Sequence, residues 1–158
     1  MPTVTYPSPV VPGPPRIHLE MPEGWIQVWA PDTLIAIRDG APAADHFLAN
    51  LVVRHYQRPA PFGTDEISSE LEGYAHQRDR GRVGGARRRE VAGEDLVGAE
   101  VSFVDGQIGA VVQTHWFSTR QREEVVDVVQ VTGSFAGSRR ERDDATLERI
   151  VESMRLGS

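Results

Sequence analysis

The sequence predicts an α+β layer fold in which a twisted antiparallel sheet is covered by helices. Three observations support this class. Segments with alternating apolar residues fall in two blocks, separated by one segment of helical spacing, and a second helical segment closes the chain. Short turns join the strands, which makes neighbouring strands antiparallel. Each helical segment carries one apolar stripe, which it can bury only against the sheet.

The N-terminal segment, residues 1–15, is rich in proline. Such a segment tends towards polyproline II and cannot pair as a central strand. We expect a mobile tail or an arm laid on the surface. Residues 16–156 are predicted to form a single domain, since 158 residues suit one domain of ordinary size. The prolines of the segment are Pro2, Pro7, Pro9, Pro12, Pro14 and Pro15.

The first block of strands leads into a helix. Apolar residues spaced for one helical face predict that helix at 64–81, with Thr64 as its N-cap and Gly81 as its stop. The turn residues Pro22-Glu23-Gly24 separate the first two strands. Alternation places the strands at about 16–21, 25–29, 34–40 and 47–57.

The second block of strands leads into the final helix. Asp105-Gly106, between two alternating runs, predicts a hairpin. Residues 133–137, GSFAG, are expected to leave the sheet as a loop or bulge, and the helix is expected at 143–156 with Asp143 or Asp144 as its cap. The strands are placed at about 86–92, 95–104, 107–118 and 123–132.

The composition excludes several classes of chemistry. The chain has no cysteine, so disulfides, thiolate metal sites and cysteine nucleophiles are absent. All 17 basic residues are arginine, which leaves no lysine for Schiff-base or general-base chemistry. The net charge of −6 argues against a nucleic-acid binder, for which a basic domain is expected.

The distribution of apolar residues along the chain predicts where in the cell the protein is located. No run of about 18 apolar residues occurs, so we expect no membrane insertion. The N-terminal segment also lacks the basic and apolar regions of a secretory signal. These two observations lead us to expect a cytoplasmic protein.

Three short motifs make the chain similar to a known family. They are MPEGW at 21–25, ANLVV at 49–53 and LERIVESMRL at 147–156. Together they resemble the LpqN-like members of the PsbP-like superfamily, actinobacterial proteins with an α/β/α sandwich. The resemblance implies a curved antiparallel sheet between helices over residues 16–156. It also implies non-enzymatic roles, such as binding other proteins or serving secretion-associated and envelope processes.

No convincing catalytic or metal-binding pattern occurs in the sequence. The five histidines lack the His-Glu-x-x-His spacing, and GSFAG does not fit Gly-x-Ser-x-Gly. Paired acids fall at predicted turns and caps, where structure already explains them. We therefore predict no catalytic residue, no cofactor and no metal, and we interpret the histidines, His46 among them, as surface or rim residues.

Asn50 is unusual because asparagine is disfavoured in the middle of a strand. A buried amide needs hydrogen-bond partners, and leaving it unpaired costs about 1–3 kcal/mol. In a structural interpretation Asn50 ties a neighbouring loop or bulge to the sheet. In a functional interpretation the Asn50 amide faces a ligand.

Arg87, Arg88 and Arg89 lie in an arginine-rich stretch of an otherwise acidic chain. They are either a solvated strand edge, where charge discourages aggregation, or a patch that binds an acidic partner. Trp116 lies on a predicted sheet face that would bind a protein if the helices leave it open. These four residues are the candidate partner-binding site.

The function expected from the sequence is a non-catalytic, protein-binding domain, either adaptor or chaperone-like. The partner would be another protein, or a second copy of the chain, rather than nucleic acid. The alternative is a carrier of a small molecule or lipid, with a pocket between sheet and helix.

Overall fold

The computed structural model describes residues 1–42 and 47–157, and His46 lies outside them. No helix in these ranges is long and apolar enough to span a membrane. The helices are α1 (Thr64–His76) and α2 (Arg140–Glu152), and a short 3-10 turn (Gly137–Arg139) precedes α2. The strands are β1 (Ile17–His18), β2 (Trp25–Gln27), β3 (Ile35–Asp39), β4 (Asn50–Pro59), β5 (Arg82–Val83), β6 (Arg87–Val91), β7 (Glu94–Asp105), β8 (Gly109–Arg122), β9 (Val125–Ala136) and β10 (Arg155–Leu156).

The main sheet is built around four long strands. Its order is β2-β3-β4-β9-β8-β7-β5, and β6 also pairs with β7. β1 and β10 form a separate pair, with Ile17 opposite Leu156. Every pairing is antiparallel, as the short connections predicted. The predicted α+β class is confirmed.

The two helices pack on opposite faces of the sheet, and each face has its own core. Fully burying one large apolar side chain contributes about 1.5–3 kcal/mol, so these clusters hold the layers together. The α2 face buries Leu51, Val53, Trp116, Val131 and Phe135 against Leu147, Ile150 and Met154. The α1 face buries Val101, Phe117 and Val128 against Ile67, Leu71 and Ala75.

The prediction for the ends of α1 was wrong at both residues. Gly63, not Thr64, is the N-cap, and its N–H donates to the Glu66 carboxylate at 3.0 Å. Glu66 is the third residue after Gly63, which is the spacing of a capping box. The N-cap therefore lies one residue earlier than predicted. The helix ends at His76, before Gly81.

The start of α2 also differs from the prediction. The helix begins at Arg140, so Asp143 lies within its first turn instead of capping it. Asp143 is buried and accepts a hydrogen bond from Arg139 Nε at 3.4 Å. The residues before Asp143 are polar and face solvent, so the apolar stripe does not reveal them as helical.

Residues 133–136 do not leave the sheet, contrary to expectation. They continue β9, with Gly133 paired to both Leu51 and Thr114. A Cβ at Gly133 would lie 3.0 Å from Leu147 Cδ1. Glycine here is therefore explained by the close approach of α2, which propensity alone does not predict.

A polar network around the buried His115 joins β4, β8 and β9 on the α1 face. The Tyr56 hydroxyl donates to Gln130 Oε1 at 2.7 Å, and Gln130 Nε2 lies 3.0 Å from His115 Nδ1. An amide nitrogen can only donate, so Nδ1 accepts and the neutral ring carries its proton on Nε2. Nε2 lies 3.0 Å from Gln113 Oε1, and its N–H donates a hydrogen bond to that oxygen. Both ring nitrogens are satisfied by uncharged partners.

His115 is buried, so the expectation of a surface or rim position was wrong for this histidine, and its surroundings hold it in its neutral form. Burial is the main cause that lowers the pKa of His115 from 6.5 to about 4, and Arg54 and Arg78 lower it further. Tyr74 of α1 packs edge-on against the ring, with 5.6 Å between ring centroids. Phe117 stacks on it at 6.4 Å.

We expect acid to destabilise the fold through His115. The unfolded chain takes up this proton near pH 6.5 and the folded chain only near pH 4, so the contribution is complete above pH 6.5 and is lost as the pH falls towards 4. At about pH 5 the loss amounts to about 2 kcal/mol in the free energy of unfolding. Urea unfolding at about pH 7.5 and about pH 5 measures it. His115→Gln, which cannot titrate, should show a smaller fall; an equal fall assigns the acid sensitivity to other groups.

We also expect Gly98→Ala to destabilise the protein by about 1–3 kcal/mol through overpacking. Gly98 pairs with Trp116, and an added Cβ would lie 2.8 Å from the Trp116 ring and closer still to the His115 carbonyl. Gly84→Ala is the matched control, because its Cβ would meet Glu100 at an ordinary 3.6 Å. Thermal unfolding compares the variants, and equal melting temperatures would contradict the packing argument.

Candidate functional site

A cavity of about 290 Å³ lies between the N-terminal segment and the α2 face of the sheet. One wall is the segment Pro12–Pro15, and the end is closed by Leu156 and Gly157 beside β10. The remaining lining comes from the neighbouring strands. It consists of His55, Glu94, Ser118, Arg120, Arg122, Asp127 and Val129.

Arg122 anchors the N-terminal segment to the sheet as an arm. Its Nη1 donates to the backbone carbonyls of Pro9 at 3.4 Å and Val10 at 3.2 Å. Its Nε and Nη2 donate to the two oxygens of Asp127 at 2.5 and 3.3 Å. The guanidinium therefore joins the arm to β9.

Asp127 is stabilised as a carboxylate. Hydrogen bonding from Arg122 is the main cause that lowers the pKa of Asp127, and the hydrogen bond from Gln57 lowers it further. Gln57 Nε2 donates to Oδ1 at 3.1 Å, and His55 Nε2 lies 3.7 Å from the same oxygen. The reciprocal interaction raises the pKa of Arg122. Both groups are thus charged at neutral pH.

A second pair of charges, Glu94 and Arg120, also lines the cavity, and Arg120 is the cross-strand partner of Asp127. Glu94 accepts hydrogen bonds from the Ser118 hydroxyl at 3.3 Å and from Arg120 Nη2 at 3.4 Å. Arg120 remains 64% exposed, so its guanidinium can turn towards a bound molecule. The cavity therefore offers donors and acceptors on its sides, with apolar surface from Val129 and the arm prolines.

Ser118, His55 and Asp127 line one cavity without forming a nucleophile–base pair. Ser118 and His55 each pair with Val129, from opposite sides of β9. They are separated by two strand spacings, about 10 Å, and Ser118 bonds Glu94 instead. The described residues contain no group of three or more carboxylates and imidazoles placed to hold a metal. The arrangement is suited to binding, through charges and hydroxyls set around an apolar centre.

Asn50 lies at the start of β4, away from this cavity. Its Nδ2 donates to the Leu48 carbonyl at 3.2 Å, and its side chain is part-buried. This is a local bond that ties the approach to β4 to the strand itself. The contact fits the structural interpretation of Asn50 rather than a ligand-facing one.

Trp116 is not an open contact surface. Its side chain is only 3% exposed, because α2 covers this face of the sheet. The guanidinium groups of Arg87 and Arg89 lie 5.2 and 5.3 Å from its ring centroid. Among the described buried side-chain atoms, Trp116 Nε1 lacks a hydrogen-bond partner. The expectation that this ring binds a partner protein is therefore wrong.

Of the three arginines of β6, Arg89 is half-buried, whereas Arg87 and Arg88 are exposed. Arg89 donates to Glu148 at 2.5 Å and to Glu152 at 3.4 Å on α2, and Arg87 lies 3.8 Å from Glu148. Arg88 donates to the Thr64 hydroxyl at 3.1 Å and is exposed. Arg87 and Arg89 thus pair with α2 on one face of β6, and Arg88 contacts the start of α1 on the other face.

Sequence reasoning missed the Arg122–Asp127 pair and its link to the arm. A signal for the pair was present, since both residues flank the turn between β8 and β9 and carry opposite charges. Nothing in the sequence indicated that a guanidinium would bind carbonyls more than a hundred residues away.

Comparison with known proteins bears on the fold. No family model matches the chain, and no curated protein matches it. Among solved structures, LpqN of Mycobacterium tuberculosis, described as involved in cell envelope biogenesis, aligns with a TM-score of 0.72 at 14% identity. The match covers 98% of this chain and 89% of LpqN.

Two further structures share the architecture. The Pseudomonas aeruginosa protein PA94, of unknown function, aligns with a TM-score of 0.57 at 13% identity, covering 89% of this chain and 96% of that one. Cyanobacterial PsbP from Synechocystis aligns with a TM-score of 0.56 at 15% identity, covering 97% of this chain and 98% of that one. Structural similarity at such low sequence identity shows a shared fold alone. The chain therefore has an LpqN-like, PsbP-like fold, as its three sequence motifs predicted.

Proposed function

We propose that the protein is a non-catalytic binding protein whose ligand is a small amphipathic molecule held beneath the N-terminal arm. The observation that carries this proposal is the cavity of about 290 Å³, which is close to the lower size of pockets that hold small ligands. It lies between sheet and arm, whereas the carrier hypothesis from sequence placed a pocket between sheet and helix.

The lining indicates the chemistry of the ligand. Asp127 and Glu94 offer acceptors, Arg120 and Arg122 offer donors, and each acid is paired with a base. A fully charged ligand would have to break one of these pairs, so a neutral or zwitterionic polar group is favoured. Its apolar part would lie against Val129 and the prolines of the arm. LpqN is described as involved in cell envelope biogenesis, so an accessory role in an envelope process is one setting for such binding.

Arg122→Met is expected to release the arm. The substitution keeps a long side chain but removes the donors to Pro9, Val10 and Asp127. Hydrogen exchange of residues 1–15 should become faster, while exchange in the central strands stays unchanged. Arg149→Met is the matched control, because this exposed arginine lies on α2, away from the cavity. Unchanged exchange of the arm in Arg122→Met would contradict its anchoring role.

Native mass spectrometry of the protein purified from its own cells tests the binding function. We expect a bound small molecule on the wild type and on Arg149→Met, and reduced occupancy on Arg122→Met because one cavity wall is loosened. A ligand retained equally by all three proteins would place binding elsewhere. The absence of any bound mass, together with no thermal stabilisation by amphipathic compounds, would refute the proposal.

A second candidate is the protein-binding role expected from the sequence. It is favoured by the basic edge of β6, where Arg88 faces outward and, in the ranges that the structure describes, the strand pairs only with β7. An acidic extended segment of a partner would add to this edge by strand pairing.

Arg88→Glu tests the second candidate without loosening α2, which Arg87 and Arg89 hold. Affinity capture should lose an acidic partner in this variant and keep it in Arg142→Glu, an exposed arginine on α2. A partner captured equally by both variants would not bind through the β6 edge.

A further inference from the structure

The two outer edges of the sheet differ sharply in charge. The edge strand β6 reads Arg-Arg-Arg-Glu-Val, and charge at an edge discourages unwanted strand pairing. At the other edge, β2 and the residues after it read Trp-Ile-Gln-Val-Trp-Ala over 25–30, with no charged residue. In the part of the chain that the structure describes, β2 pairs only with β3. The β6 edge is therefore protected against strands that carry no acidic residue, whereas the free side of β2, within the described residues, carries no charge that hinders pairing.

The uncharged edge also exposes large apolar side chains. Trp29 is 86% exposed, and Ile26 and Leu34 are each 40% exposed. Val28 N–H donates to the Ala36 carbonyl at 2.9 Å, which directs it towards β3. Because backbone groups alternate along a strand, the N–H and C=O groups of Gln27 point away from β3, to the free side.

The sequence of this edge is nearly symmetric about Gln27. In Trp25-Ile26-Gln27-Val28-Trp29, an aromatic residue lies two positions to either side of the glutamine, and an aliphatic residue lies one position to either side. A strand with this symmetry matches an antiparallel copy of itself. A two-fold axis through Gln27 would pair like surfaces, which is the geometry of an isologous dimer.

We propose that two copies of the chain associate by antiparallel pairing of β2 with β2, with Gln27 opposite Gln27. Trp25 then lies opposite the Trp29 of the second copy, on the face where Trp25 already packs against the core. Aromatic pairs across strands are favourable. The exposed Trp29 thereby gains a cover that the single chain does not give it.

Charge favours this register. Each chain carries a net charge of −6, so two copies repel each other, and a contact without opposed acids keeps this repulsion smallest. With Gln27 opposite Gln27, the flanking acid Glu23 falls opposite Pro31 of the second copy, and Asp32 falls opposite Pro22. No acid meets an acid along the seam. The inference is independent of the ligand cavity, which lies at the other end of β4 and β9.

Sedimentation equilibrium over micromolar to millimolar concentrations tests the association. We expect the wild type to reach twice the mass of one chain, and Trp29→Arg to keep the mass of one chain at every concentration. Ile108→Arg is the control, because Ile108 is also an exposed apolar residue, at 40%, but lies in the β7–β8 hairpin. A wild type that stays monomeric, or a Trp29→Arg variant that still dimerises, overturns the proposal.

The absence of cysteine allows a test of the register by single cysteines. Hydrogen-bonded antiparallel partners have Cα atoms about 5.5 Å apart, within the range that a disulfide bridges. Gln27→Cys should therefore give a covalent dimer on mild oxidation. Ile26→Cys is the matched control on the same strand, since its two copies would be roughly 8 Å apart and beyond reach. Cross-linking at 26 as efficient as at 27, or none at 27 in a dimeric protein, would refute this pairing.

Discussion

The register of β9 between its two neighbours is the constraint on which the rest of the structure depends. β9 pairs with β4 from Asn50–Ser134 to Pro59–Val125 and with β8 from Val111–Ala136 to Arg122–Val125. Because side chains alternate, this register sends Val131 to the α2 face and Val128 to the α1 face. A slip of β9 by one residue would turn Val131 to the α1 face and Val128 to the α2 face, and would remove Gln130 from His115. Both cores, the network and the cavity follow from one alignment.

Much of the fold could be predicted because alternation and helical spacing are strong signals here. The hairpin at Asp105 formed as expected, since Asp105 Oδ1 accepts the N–H groups of Gln107 and Ile108 and so favours the turn. Family motifs pointed to the same architecture. The predicted helix ends were wrong because caps depend on single hydrogen bonds. The predicted loop at residues 133–136 was wrong because Gly133, which leaves room for Leu147, has the sequence signal of a loop residue.

The candidate site was harder to predict than the fold. The alternation of side chains along β8 placed Trp116 on the correct face of the sheet. Alternation does not say whether a helix covers that face. The arginines of β6 were recognised as a cluster, yet their pairing with Glu148 and Glu152 depends on where α2 crosses the sheet. The cavity arises from contacts between the first residues and β8, β9 and β10, and such long-range contacts leave no local pattern.

The pairing of β1 with β10 has a topological consequence. Ile17 lies opposite Leu156, and Gly157 N–H donates to the Arg16 carbonyl at 2.7 Å, so the two ends of the domain meet. The fold is therefore close to a closed loop of chain. A circular permutant that joins residue 157 to residue 16 and opens an exposed turn elsewhere would keep the same layers. A domain fused after residue 157 would start at the end of the cavity that Leu156 and Gly157 line, where it could extend the space beneath the arm.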